Sequence, residues 1–177
     1  MASVFSYPIG EFKSQASYSA DERSSGIARL AAQPAALAAV VSGLSDASWA
    51  LPYRPNGWTV RQLVHHVADS HVNMFTRLKL ALSEHEPTIR PYEQDAWVQQ
   101  ADVAAVSPMV SIALLAAVHE RMVALFRLLT PQQFERGLVH PESGRMTIEQ
   151  LLALYAWHGD HHVAHIAHFR QRESNRA

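Results

Sequence analysis

The sequence contains no cysteine, and this absence excludes several kinds of site. Structural disulfides, thiolate zinc sites and a nucleophilic protein thiol all require cysteine. Any soft nucleophile in a reaction of this protein must therefore come from a small molecule.

The sequence also lacks a basic block and a long apolar run. Its 15 Lys and Arg residues nearly balance 16 Asp and Glu residues, and the formal net charge is −1. Positive charge is thus spread thinly, and we expect no nucleic-acid partner. The longest purely apolar runs, such as residues 112–118, are far shorter than the ~20 residues that cross a bilayer. No charged start followed by an apolar stretch opens the chain, so we expect a cytoplasmic protein without membrane contact.

Strand patterns are scarce as well, and helical periodicity dominates. A chain of 177 residues with 48% hydrophobic content suffices for one domain, which we expect to cover residues 1–177. Residues 1–18 contain Pro8 and Gly10 and predict an extended arm anchored by Tyr7, Ile9 and Phe12. Four long helical stretches predict an all-α fold, a four-helix bundle with short extra helices.

Capping patterns place the helix starts. A Ser or Thr followed three residues later by Glu or Gln can satisfy the free amides of a first turn, and a Pro fits the first helical position. These patterns occur at Ser19, Thr59, Ser107, Thr130 and Thr147. Pro34 lies inside the first helical stretch and is expected to kink or break it. We expect a connection at 45–57, a short helix or lid at 92–100, and a loop or small hairpin at 137–144.

Five histidines lie in the segment WHGDHHVAHIAH, residues 157–168. In a helix, His161 and His165 are four residues apart and share a face, so their rings can meet at one ion. His158 and His168 lie on nearly the same stripe and His162 lies on its border. Spacing alone therefore leaves several ligand pairs open.

A second cluster, His65, His66 and His71, lies in a stretch that also has helical periodicity. His71 falls among the apolar positions, which favours it as a buried ligand, whereas His66 shares a polar stripe. His65 points nearly away from the apolar face and is predicted to be solvated. A single histidine pair is more often a surface feature than a metal site, but two clusters together favour a bound metal.

Four segments, YPIGEF, PYRPNGWTVRQLVHHVADSH, IRPYEQDAW and TIEQLLALYAWHGDHHVAHI, resemble the DinB/YfiT-like superfamily nearly end to end. The resemblance is greatest to its branch of metal-dependent hydrolases and bacillithiol transferases. It implies an up-down four-helix bundle with a longer crossover, and one divalent ion per chain, zinc or nickel. The ligands that it implies are His66, His161 and His165, which overrules the periodicity preference for His71.

The other histidines and several nearby residues receive secondary expectations. Surface or structural roles are expected for His119, His140, His162 and His168. Asp69 and Asp160 are candidates to orient the ligand rings. The aromatic side chains Trp58, Tyr92 and Trp97 are candidates to wall the pocket.

Three neutral imidazoles leave an open position on an ion, as catalytic sites require. That position suits water or the thiol of a small cosubstrate. The resemblance favours thiol S-transfer of the bacillithiol type slightly ahead of hydrolysis of a small-molecule substrate, and no residue is assigned as general acid or base. A non-enzymatic metal-binding bundle, acting in stress response or as an interaction module, and a haem-binding bundle stay open as alternatives. A homodimer is also kept open.

Overall fold

The computed structural model describes residues 6–175. In chain order the elements are α1 (Ala20–Val41), α2 (Asp46–Trp49), α3 (Val60–Ser83), α4 (Gln94–Trp97), α5 (Ala101–Ala105), α6 (Pro108–Arg127), α7 (Pro131–Glu135), β1 (Gly137–His140), β2 (Gly144–Thr147) and α8 (Ile148–Ser174). The four long helices are α1, α3, α6 and α8, and the all-α prediction is confirmed. Residues 1–5 of the expected N-terminal arm lie outside the described residues.

The predicted caps begin the long helices. Ser19, Thr59 and Thr147 each accept a hydrogen bond from the backbone amide three residues later, and the Glu or Gln there bonds back to the cap amide. Ser107 caps α6 with Pro108 in its first turn. Because these contacts satisfy amides that a first turn leaves free, local sequence is sufficient to fix where each helix begins.

Pro34 does not break α1, which continues from Ala20 to Val41. A proline has no backbone N–H, so the carbonyl four residues earlier, that of Leu30, loses its helical partner. His119 on α6 takes that place, with its Nδ1 2.6 Å from the Leu30 carbonyl oxygen. The predicted interruption is therefore absorbed by a contact between helices.

The long helices form a four-cornered bundle in which α1 packs against α6 and α8, and α3 packs against the same two helices. Helices α1 and α3, consecutive along the chain, thus occupy opposite corners, and residues 42–59 cross between them. Close approach of α1 to α8 requires Gly159, because a Cβ there would lie 2.3 Å from the Gln33 side chain.

Two apolar clusters fill the bundle, one toward each end. One contains Leu30, Met74 and Met122, and the other contains Leu37, Val67 and Leu115. Between them, on all four long helices, lie buried polar side chains: Gln33, His71, His119, His161, His162 and His165. The histidines therefore form a polar layer across the middle of the bundle.

The connections depart from the sequence expectations in detail. Residues 46–49, expected to be part of a connection, form the short helix α2, and α5 was not anticipated. The segment at 137–144 does contribute a hairpin, with Gly137 opposite Thr147 and His140 opposite Gly144. The described part of the arm crosses α8, where Trp157 Nε1 donates to the Gly10 carbonyl at 3.1 Å. Ile9, expected to anchor the arm, is 44% exposed.

Helix α6 is long and apolar enough to span a membrane, with a mean hydropathy of 1.7 over its 18-residue window. Counting uninterrupted apolar runs did not detect it, because His119 and Glu120 interrupt the run. In the structure α6 packs on α1 and α3 as a bundle helix. A groove of about 730 Å³ lies between α1 and α6, and six of its thirteen lining residues are alanines. Cytoplasmic location and the homodimer stay predictions.

Candidate metal centre

The polar layer opens into a cavity of about 520 Å³ on one side of the bundle. Its lining residues come from the arm, the crossover, α3, α4 and α8: Ser6, Tyr7, Tyr53, Arg54, Asn56, Gly57, Trp58, His66, Gln94, Asp95, Trp157, His158, His161, His162 and His165. All three sequence-predicted ligands, His66, His161 and His165, are in this set. The cavity therefore contains every histidine that the resemblance implicated.

The ring nitrogens in the cavity fall into two groups, within each of which the candidate ligand atoms lie within 4.8 Å of one another. His66, His158 and His162 form the first group. His161, His162 and His165 form the second. The structure thus separates the predicted set, with His66 in one group and the predicted α8 pair in the other.

In the first group the Nε2 atoms face one another. His158 Nε2 lies 3.1 Å from His162 Nε2 and 3.4 Å from His66 Nε2. Two imidazole nitrogens bound to one tetrahedral ion at about 2.0–2.1 Å are about 3.3 Å apart. The two distances to His158 Nε2 are therefore close to those between donors of one divalent ion.

In the second group the rings pack closely, with the centroids of His161 and His165 4.2 Å apart. Their other neighbours are aromatic. Trp157 stacks on His161 with centroids 4.3 Å apart, and Tyr53 lies 4.7 Å from His165. Tyr7 of the arm also contacts His161. This pair therefore borders the arm and the crossover, whereas His158 and His162 face α3.

Burial keeps these rings neutral near pH 7. Removal from water lowers the pKa of His66 to about 4, and burial with the nearby Arg54 guanidinium lowers the pKa of His161 to about 4. Burial and neighbouring histidines hold the pKa of His158 and of His162 well below the usual value. A neutral imidazole has the lone pair that a metal ligand needs.

Two histidines of the second sequence cluster differ from their expectations. His65, predicted to be solvated, is only 4% exposed, and its Nδ1 lies 2.7 Å from Ser111 Oγ on α6. The prediction is wrong because α6 packs on the side of α3 that points away from the apolar face that periodicity identified. His71 is fully buried as its apolar position indicated, but its Nε2 contacts His158 Nδ1 at 3.2 Å. His71 thus contacts the first group through the second ring nitrogen of His158.

Of the remaining candidates, some line the cavity and others do not. Trp58 lines the cavity and packs on His66 with centroids 4.7 Å apart, while its Nε1 donates to Asp95. Tyr92 and Trp97 pack against each other and do not line the cavity. His119, expected to be structural, is buried and bonded to α1.

The two carboxylates proposed to orient the rings have other surroundings. Asp160 accepts from Arg29 Nε at 2.7 Å and from Gln33 Nε2 at 3.1 Å, and so ties α8 to α1. Burial, with Asp102 nearby, raises the pKa of Asp69 to about 6. Among the described residues, the second ring nitrogen of His158 in the first group is instead contacted by His71.

His158 and His162 are the two histidines of the first group that the resemblance-based set omitted, and His162, expected to have a surface or structural role, lines the cavity. A sequence pattern that could have identified them was present, because His158 and His162 are four residues apart just as His161 and His165 are. Periodicity cannot choose between two such pairs on one helix. Contact with His66 on α3 separates them in the structure.

The fold and the site together define a four-helix bundle with a buried histidine centre suited to a divalent ion. The chain belongs to the DinB superfamily, whose family model matches residues 29–166.

Individual relatives extend that match over nearly the whole chain. "Putative metal-dependent hydrolase YfiT" of Bacillus subtilis is 47% identical over 174 residues, covering 97% of this chain and 98% of that protein. A similarly named protein of Bacillus mycoides is 40% identical over 94% of this chain and 95% of its own length. The solved structure of YfiT, described as a probable metal-dependent hydrolase with an unusual four-helix bundle topology, has a TM-score of 0.94, 45% identity and coverage of 97% and 99%.

A more distant solved structure, the four-helix bundle protein TT2238, has a TM-score of 0.57 at 21% identity over 80% of this chain and 94% of that one. It supports the fold alone. The similarity to YfiT and to TT2238 confirms the four-helix bundle prediction.

Proposed function

We propose that this protein is a divalent-metal-dependent enzyme acting on small molecules, with His66, His158 and His162 as the metal ligands. The observation that carries the proposal is the convergence of three Nε2 atoms, from buried His66 and His162 and half-buried His158, with 3.1 and 3.4 Å between neighbours, at a cavity of about 520 Å³. This set retains His66 and replaces the pair His161 and His165, because only His158 and His162 share a group with His66.

The donor set is suited to one ion of zinc or nickel per chain. Three neutral imidazoles suit both metals, and the cavity leaves space beside them for a water molecule or a substrate. When bound, such an ion lowers the pKa of a coordinated water to near 7 and polarises a substrate oxygen or sulfur. His161 and His165 then line the same cavity beside the ion.

A cationic side chain in the cavity lining favours an anionic substrate group. Arg54 lines the cavity, where its Nε donates to Tyr53 Oη at 2.8 Å. Among the described residues, no Asp or Glu side chain forms an ion pair with it. Asp95, the carboxylate among the lining residues, accepts from Trp58 Nε1. Arg54 is therefore positioned to bind a carboxylate or phosphate while Trp58 covers His66.

Hydrolysis of a small substrate is the first reaction class that we propose. The names of the relatives support it, and so does an open ion that can supply hydroxide near neutrality.

Thiol S-transfer, of the bacillithiol type, is the second class. It is favoured by the shortage of carboxylates in the cavity: among the lining residues that the structure describes, Asp95 is the one acid, and it accepts a hydrogen bond from Trp58. A thiol bound as thiolate needs no protein base during attack, whereas hydrolysis benefits from one. The cysteine-free chain would take that sulfur from a cosubstrate.

Metal analysis and turnover test the proposal together. Protein purified without a histidine tag is expected to carry close to one divalent ion per chain. The loaded protein is then given neutral and carboxylate-bearing esters and amides, or a small thiol with monochlorobimane. Cleavage without thiol supports hydrolysis, and thiol-dependent conjugation supports transfer, provided that His158→Ala abolishes either. A loaded protein with no turnover on either panel would favour the non-enzymatic metal-binding bundle.

A further inference from the structure

A buried line of hydrogen bonds begins at the Leu30 carbonyl on α1. Pro34 cannot donate to this carbonyl, so the acceptor that a helix normally uses internally is free for another partner. His119 Nδ1 on α6 lies 2.6 Å from the carbonyl oxygen. A carbonyl oxygen only accepts hydrogen bonds, so His119 must carry its proton on Nδ1.

The line continues through a second buried ring to the metal centre. His119 Nε2 lies 2.8 Å from His71 Nδ1, and His71 Nε2 lies 3.2 Å from His158 Nδ1. His119 is 2% exposed and His71 is 0% exposed, so water does not compete for these contacts. Three helices, α6, α3 and α8, therefore supply one continuous chain of imidazoles.

The carbonyl at one end sets the direction of every bond in the chain. Buried imidazoles favour the neutral form, which has one N–H and one lone pair. With the proton of His119 on Nδ1, its Nε2 must accept, so His71 donates from Nδ1. His71 Nε2 then accepts, so His158 donates from Nδ1. His158 Nε2 is left with the lone pair, and this is the atom that faces His66 and His162.

The opposite direction has a specific penalty. It would place the lone pair of His119 Nδ1 against the lone pairs of the Leu30 carbonyl at 2.6 Å, two acceptors in contact in a buried site. Leu30 therefore selects one direction, and the choice is passed along the chain to His158.

On the basis of the metal triad proposed above, we propose that His71 and His119 are positioning residues that hold His158 in the Nδ1–H tautomer and so present its Nε2 lone pair to the ion. A metal-bound histidine is commonly oriented by an acceptor for its other ring nitrogen, and here that acceptor is a neutral histidine anchored to a main-chain carbonyl.

The chain does not serve as an exit path for protons. Both ring nitrogens of His119 are engaged, and the terminal group is a carbonyl that does not bind and release protons near neutrality. The other two ligands lack such support among the described residues, since the Nδ1 atoms of His66 and His162 are buried without a hydrogen-bond partner. His158 is therefore the ligand whose second nitrogen the fold holds.

The tautomer can be measured without a metal. In the metal-free wild-type protein, long-range ¹H–¹⁵N correlation spectra distinguish a protonated ring nitrogen from one with a lone pair. We expect Nδ1–H and bare Nε2 for His119, His71 and His158. A spectrum with Nε2–H on His158 would overturn the proposal, whatever metal the protein binds.

Metal affinity supplies the second readout, using ion competition with a chelator. His71→Leu removes the acceptor for His158 and is expected to weaken binding by about 10- to 100-fold. In His71→Gln the amide oxygen can accept from His158 while the amide nitrogen donates to His119, so most of the affinity should return. His65→Leu is the matched control, because His65 is also buried on α3 but bonds to Ser111, and its affinity should equal that of wild type.

These outcomes separate the two proposals. Equal affinity of His71→Leu and wild type would overturn the positioning role, and so would a failure of His71→Gln to improve on His71→Leu when both are folded by circular dichroism. A wild type that binds no ion although His158 is Nδ1–H would contradict the proposed function and leave the tautomer assignment supported.

Discussion

Helix α8 carries two histidine pairs with the same four-residue spacing, and they meet different neighbours. His158 and His162 face His66 and His71 of α3, so ring nitrogens approach ring nitrogens. His161 and His165 face Tyr7, Trp157 and Tyr53, so their rings meet aromatic surfaces. Spacing places each pair on one face of the helix, but the neighbouring elements determine what each pair contacts.

The largest expected effect is the loss of the ion when either His158 or His162 is replaced. His158→Ala or His162→Ala should abolish stoichiometric metal binding, because two remaining protein ligands are too few to hold the ion tightly. His161→Ala and His165→Ala should retain close to one ion per chain, by elemental analysis. The reverse pattern would restore His161 and His165, the pair implied by family resemblance, as ligands.

Thermal stability provides the next comparison. A ligand that binds only the folded state stabilises it by about 2.7 kcal/mol at a free concentration 100 times Kd. For a chain of this length, that raises Tm by roughly 5–10 °C. Wild type and His161→Ala should show this shift on addition of metal, and His158→Ala should not, by differential scanning calorimetry. A full shift in His158→Ala would indicate a second binding site.

Acid should destabilise the metal-free protein through buried histidines of both cavity groups, among them His66 of the first group and His161 of the second. The folded-state pKa of His66 and that of His161 are lowered to about 4, whereas an unfolded histidine titrates near 6.5. The unfolded state therefore binds more protons between these values, and the free energy of unfolding should fall as pH decreases from about 6.5 to about 4. For His66 the loss is at most about 3 kcal/mol. His66→Gln should flatten this part of the profile in urea unfolding measurements, and an unchanged slope would contradict the assignment.

The smallest effect is expected at Pro34, beside the Leu30 carbonyl where the hydrogen-bond chain to His158 begins. Pro34→Ala restores a helical N–H that can donate to the Leu30 carbonyl. Because a carbonyl has two lone pairs, His119 should keep its bond, and metal affinity should remain within about threefold of wild type. A loss above about tenfold would mean that the new donor displaces His119.

Local chemistry was enough to determine where the long helices begin. The capping boxes at Ser19, Thr59 and Thr147, and Ser107 before Pro108, involve residues a few positions apart, and the structure has each of them. The same holds for the clustering of histidines on two helices, since spacing along a helix fixes which side chains share a face. Prediction of a bundle with a histidine centre needed no more than this.

What the sequence could not decide depends on partners that are distant along the chain. His65 is buried because Ser111, 46 residues away, lies against it. His71 supports a ligand ring because His158, 87 residues away, approaches it. Helix α1 continues through Pro34, and His119 of α6 donates to the Leu30 carbonyl in place of the missing backbone N–H. Periodicity assigns a residue to a face of its own helix, but the packing of the four helices decides what that face meets, and only this separates His158 and His162 from His161 and His165.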